Sequence, residues 1–293
     1  MIRLNSSSQA CGATRMRRLW PSRLFLQLAL PLGLLALWWF ALQRQWVRPY
    51  QLPAPATVLA TIQEMLHRGE LQIHMLATIG RTLASYLLGV FPAVALGVAS
   101  GLSPAMRAGV DPTIQGIRAV PSLAWVPLFL LWFGIGEQAR LLLIALGAFL
   151  PVYLNTVAGV ESVDRRLVEV GRAYGLSSSA ITFRIVLPGS LPGILTGLRS
   201  GLGMAWMFVV AAELIAASNG LGFLLIDGQS TMRPDRVLAA IITFAFLGRA
   251  SDAGLAAIER YALRWRDTLG TPDSSQRNQS LSSTLKAERV SVP

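Results

Sequence analysis

"ARLLLIALGAFLPVYLNTVAGV", residues 139–160, carries one charge, on Arg140, and is otherwise apolar or small. An α-helix rises 1.5 Å per residue and the hydrocarbon core is about 30 Å thick, so roughly 20 mostly apolar residues make one membrane span. This run meets that rule. Five further runs resemble it: Leu24–Leu42, Thr78–Ser100, Ser122–Gly134 extended backwards by a few residues, Ile194–Ala217 and Val237–Tyr261. The third is the shortest, and Pro121, Pro127 and Gly134 crowd its ends. The first is too long for a cleaved leader and ends in Trp38 and Trp39 rather than small residues, so it stays as a helix.

Composition points the same way. The chain of 293 residues is 53% hydrophobic and 14% charged, with a mean hydropathy of +0.51; soluble domains carry about 25% charged residues. The expected fold is all-α: a polytopic membrane bundle of about six transmembrane helices in one domain, residues 24–266. A cytoplasmic tail, 1–23, precedes it, and a disordered cytoplasmic tail, 267–293, without apolar periodicity follows. The net charge of +11 also suits a nucleic-acid binder, but the arginines lie between apolar runs, which fits a bilayer and no nucleic acid. The one cysteine, Cys11, excludes an internal disulfide, and the "NSSSQA" before it is no lipoprotein leader, leaving a free thiol in a tail.

Arginine placement orients the bundle. Segments 1–23, 101–118, 161–193 and 262–293 hold thirteen arginines before the tail is counted, among them Arg107 and Arg118 in 101–118, against six in the alternate loops. Both termini are therefore expected inside. Between the first two runs, "RPYQLPAPATVLATIQEMLHRGELQIHM" (48–75) places Val58, Ile62, Met65 and Leu66 at helical spacing behind Pro53 and Pro55, with Thr57 as a candidate N-cap. Two readings stand: a helix lying in the membrane interface, or a solvated loop helix.

Within the runs, Gly89, Ala93, Gly97 and Gly101 recur every four residues, as do Gly193, Gly197 and Gly201. Such stripes let backbones approach closely, which in lipid takes the place of a hydrophobic drive for association. Ionisable groups inside the runs are costly unless paired or wetted. Arg81 and Glu213 fall near the outer ends of two runs and can pair across the bundle; Arg249 and Asp252, at i and i+3, can pair along one helix. Mutual satisfaction and a substrate or gating role both remain open for Arg81 and Glu213.

The longest inside loop contains "EVGRAYGLSSSAITFRIVLPGSLPGI", residues 169–194. A helix over Leu167–Gly175 ends there in a left-handed glycine cap; a second short helix starts at Ser177, runs to about Val186 and stops at Pro188. The segment resembles the signature loop of ABC-importer permeases: Glu-Ala-Ala, three residues, Gly, then a spaced Ile-x-Leu-Pro. Glu169 matches the glutamate, Gly175 the glycine, and Ile185, Leu187 and Pro188 the distal part, while Val170 and Gly171 replace the two alanines. Together with "LAWVPLFLLWFGIGEQAR" (123–140), "LPVYLNT" (150–156) and "AAELIAASNGLGFLL" (211–225), the chain is similar to the aliphatic sulfonate, taurine and nitrate branch of these permeases.

That resemblance implies a type I importer permease of the bacterial inner membrane, most like those for aliphatic sulfonates. It further implies a homodimer with a second copy of the chain, a cytoplasmic ABC ATPase dimer, an extracytoplasmic substrate-binding protein, and coupling to the ATPase through Glu169, Gly175, Leu187 and Pro188. It implies neither cofactor nor metal. Catalysis by this chain is not expected: His67 and His74 are its only histidines, and it has no H-E-x-x-H, G-x-S-x-G or GxxxxGK[ST] motif. A secondary transporter is the rival reading; such proteins show inverted repeats and helices unwound at mid-membrane, and the sequence displays neither.

Overall fold

The computed structural model describes residues 23–46, 48, 51–121, 124–216 and 218–265. Cys11, the tails 1–22 and 266–293, and Ser122 at the predicted start of the third span lie outside them. Helices carry the fold, and no strand occurs among the described residues. α1 (Arg23–Gln43) coincides with the first predicted span. α2 (Pro55–His67) leads through Gly69, which takes a left-handed φ of 75°, into α3 (Glu70–Leu102), the second span. α4 (Pro104–Ala119) and α5 (Trp125–Phe133) follow, then α6 (Glu137–Glu161), the fourth span. α7 (Arg165–Ala173) and α8 (Ser178–Ile181) belong to the loop. α9 (Leu187–Ala216), α10 (Leu221–Ser230) and α11 (Pro234–Ala262) complete the bundle. Four stretches are long and apolar enough to cross a membrane on their own: α3, α6, α8 through α9, and α11.

α6 lies at the centre, and both glycine stripes close on it. Along α3, a side chain at Gly89 would run into the backbone of Ala145, and one at Gly97 would reach 2.7 Å from Cβ of Thr156. Along α9, a Cβ on Gly193 would lie 2.5 Å from Cα of Gly159, and one on Gly201 would lie 2.6 Å from Cγ2 of Val152. Pairing numbers rise together for α3 and α6, which run parallel, and oppositely for α9, which runs antiparallel. Tyr86, Leu143, Ile144, Ala148, Leu202, Ala205 and Val209 fill the core where the three helices meet.

Four sequence expectations change. The segment 101–118 is not a loop: α4 climbs the bundle, burying Ile114 against Ala93, Val152, Tyr153 and Val157. The third span is therefore divided between α4 and α5, and Val120 and Pro121, the described residues that follow α4, are out of the helix. The second loop helix does not stop at Pro188 either. A single π-turn, Thr182–Val186, joins α8 to α9. A π-turn widens the ladder, so the proline, which lacks an N–H and would crowd the carbonyl four residues back, enters without breaking the helix. α2 packs one face on the bundle, Val58 and Met65 being 1% exposed beside Leu221, Leu224, Ala239 and Leu247, and leaves Leu59 60% exposed on the other. Its N-cap is Ala54 without a side-chain bond; Thr57 sits inside the first turn.

Candidate functional site

The loop of residues 162–186 is built by local rules. Asp164 caps α7, its carboxylate accepting the Arg166 N–H at 2.9 Å. At the other end Gly175 takes φ 74°, where a side chain is strained, and the Leu176 and Gly175 N–H groups return to the carbonyls of Gly171 and Arg172 at 3.1 and 2.9 Å. This 6→1 and 5→2 pair is the Schellman closure expected of a helix ending in glycine. Ser177 caps α8, accepting the Ala180 N–H at 3.3 Å. Gly171, which stands where the signature has alanine, is buried; a Cβ there would come within 2.7 Å of Ile185 Cδ1 and 3.6 Å of Leu176 Cδ1.

Glu169 is exposed, and no described residue pairs with it. Pro188 is exposed and Leu187 half-buried at the start of α9. Around these positions large apolar side chains stand in the open: Leu167 54% exposed, Val170 53%, Tyr174 84% and Phe183 69%. They are interleaved with Arg165, Arg166, Arg172 and Arg184. A patch of this kind on a segment too polar for lipid is the mark of a protein contact.

Arg81 and Glu213, the other candidates, meet at the opposite end of the bundle. Both are buried and paired. Arg81 also donates to Glu137 at 2.6 and 3.2 Å and to Asn219 Oδ1 at 3.0 Å. Glu213 accepts from the Thr78 hydroxyl at 2.9 Å and the Gly222 N–H at 2.8 Å, and Thr78 Oγ1 in turn accepts the Leu221 N–H at 2.8 Å. The carboxylate thus caps α10 from another helix. A side chain at Gly220 or Gly222 would occupy its place, so the "NGLG" at 219–222 is what lets it in. These bonds tie the pair into a clamp across α3, α6 and α9, with the half-exposed Glu137 carboxylate at its rim.

Arg249 does meet Asp252, at 3.1 Å, but the main partner of Asp252 is Arg199 on α9, at 3.0 Å, which also reaches Glu259 at 3.1 Å. Sequence reading passed over Arg199. Its partners lie 53 and 60 residues away on α11, and no local spacing announces them.

Comparison with known proteins places this geometry. Residues 86–263 match the family described as binding-protein-dependent transport system inner membrane component. The chain is 39% identical over 241 residues, 82% of itself and 87% of the other, to a Bacillus subtilis (strain 168) protein assigned as the aliphatic sulfonates transport permease SsuC. It is 38% identical over 260 residues, 86% and 94% of the two chains, to the taurine transport system permease protein TauC of Escherichia coli K12. A solved structure titled as an amino acid ABC transporter with histidines superposes with a TM-score of 0.55 at 18% identity, over 70% of this chain and 98% of that one, a likeness of fold. The loop, the bundle and the match over most of its length make this chain a member of the ABC-importer permeases, the binding-protein-dependent inner-membrane transport components.

Proposed function

We propose that the chain forms the translocation pathway for small organic anions of the aliphatic sulfonate class, as a homodimer driven by two cytoplasmic ATPase subunits and fed by an extracytoplasmic binding protein. The observation that carries the coupling is the exposed apolar patch of Leu167, Val170, Tyr174 and Phe183 around Glu169 and Gly175. The ATPase seats on it, with both termini on the same, cytoplasmic side. ATP closes the ATPase pair and moves the loop, and each bundle rocks between inward-open and outward-open states.

The route of that movement is continuous. α8 passes through the π-turn into α9 without a joint, and α9 touches α6 backbone to backbone at Gly193 and Gly159. Cores of this density shift as units rather than deform. Sulfonate is favoured as the cargo by the two curated relatives, with taurine, itself a sulfonate, and nitrate as neighbouring choices. The test is growth: deletion of the gene in a strain without a redundant importer abolishes growth on ethanesulfonate as sole sulfur source, and growth equal to the parent rejects the substrate. ATP-dependent uptake by the permease, ATPase and binding protein in proteoliposomes checks the drive.

A further inference from the structure

The break between α4 and α5 borders a cleft of about 460 Å³, within the ~300–1,000 Å³ range of small-ligand sites. One wall is the irregular backbone of Val120 and Pro121; the others come from Leu146–Asn155, which straddles the middle of α6, and from Met204 and Phe208 of α9. The Val120 N–H is donated to the Ile117 carbonyl at 3.3 Å and the Pro121 carbonyl accepts the Ala124 N–H at 2.9 Å; irregular backbone within a membrane bundle is stable where it is bonded in this way or lines a cavity. The lining is apolar apart from Arg118 and Asn155. Asn155 spends its amide N–H on the Pro151 carbonyl at 2.8 Å, which leaves its side-chain oxygen and the rest of that amide to the cleft.

Arg118 is the decisive residue. It is the one charged side chain in the lining, it is exposed, and no described residue pairs with it. The acids of α4 and of the end of α6 are engaged with Arg107 instead: Asp111 accepts from Arg107 at 2.9 Å and from Tyr153 at 2.6 Å, and Glu161 is held by Arg107. A lone cation at membrane depth is costly unless an anion or water meets it. Arg81, Arg140 and Arg199 all have carboxylate partners, so Arg118 stands apart from the other arginines within the bundle.

We infer that the α4–α5 cleft is the station where the transported anion rests, with Arg118 facing its charged head group and Trp125, Leu150, Met204 and Phe208 holding its aliphatic part. A guanidinium offers paired donors to a planar or trigonal set of oxygens, and a sulfonate presents three oxygens on one face. The apolar walls exclude solvent around a short alkyl chain, which an inorganic anion does not need. The inference rests on the proposed import of sulfonates and adds the residues that would select them.

Two measurements test it in the assembled importer. Arg118→Gln lowers ATP-driven uptake of radiolabelled ethanesulfonate by at least about 30-fold, the low end for removing one partner of a desolvated charge pair. Arg118→Lys keeps a measurable share of uptake, and both variants co-purify with the ATPase. Uptake by Arg118→Gln at the parental rate overturns the inference. The second measurement needs no transport. In a Cys11→Ser background, Val120→Cys reacts faster with 2-sulfonatoethyl methanethiosulfonate than with its trimethylammonium counterpart, and adding Arg118→Gln erases the preference. Equal rates in the parent, or no reaction with either reagent, overturn the anion station. A parent that imports no sulfonate but keeps the charge preference sinks the substrate reading alone and leaves the anion site standing.

Discussion

At the residue scale, two positions separate strain from contact. Gly175 has open space around its Cα but a left-handed φ, so any L side chain costs about 1–2 kcal/mol there, with Asn and Asp the most tolerant. Gly175→Asn and Gly175→Asp share nearly the same backbone cost and differ in charge. Gly175→Asn is expected to retain most uptake. Gly175→Asp leaves the permease in the membrane but abolishes uptake, because an unpaired carboxylate must be desolvated against the ATPase. Co-purification of the ATPase with each variant, beside uptake in the same cells, decides it, and full uptake by Gly175→Asp removes the loop from the coupling path. Arg81 is the second such position. Arg81→Gln strands Glu213 in the core and lowers stability by about 3–5 kcal/mol, whereas Arg81→Gln with Glu213→Gln recovers part of that loss. Thermal unfolding of the detergent-solubilised protein reads both, and a double variant no better than the single denies that the pair is a clamp.

At the scale of elements, the glycine stripes make a graded prediction. Gly193→Ala puts a methyl into the backbone of Gly159, which cannot yield as a side chain does, while Gly203→Ala, with nothing within 4 Å, enters open space. The first lowers the melting temperature and the yield of assembled complex. The second is neutral or stabilising by up to about 1 kcal/mol, because alanine gives up less backbone entropy than glycine in a helix. Equal behaviour of the two would mean that the α6–α9 contact is not tight. These stripes were legible because strict spacing of small residues admits few other uses in lipid. The loop was legible because Glu169, Gly175 and Pro188 hold fixed intervals. The α4–α5 break was not: Val110, Ile114 and Ile117 are interleaved with Arg107, Asp111, Gln115 and Arg118, so the local average reads as a loop although one face packs on α3 and α6. The run of α9 through Pro188 escaped for a different reason, since a π-turn leaves no compositional trace that separates it from a stop.

At the scale of the whole molecule, the orientation has a direct check. Reporter fusions after Gly69 and after Met232, an exposed turn between α10 and α11, are expected to read outside, and a fusion at Ser178 inside. A Ser178 fusion that reads outside would put the loop on the wrong face for any ATPase. The clamp at the far end also bears on how the molecule is made. Synthesis proceeds from the N-terminus, so Arg81 enters the bilayer long before Glu213 has left the ribosome, 132 residues later. Glu137 emerges first, 56 residues after Arg81, and its carboxylate shares the same guanidinium. The half-exposed acid is thus the first to reach the arginine, and the fully buried one replaces water on its remaining side only when α9 arrives. Until then α3 has closed only on α6. A nascent chain halted before residue 213 is therefore an unfinished bundle whose arginine is met by Glu137 alone, the kind of chain a quality-control protease can tell from a completed one.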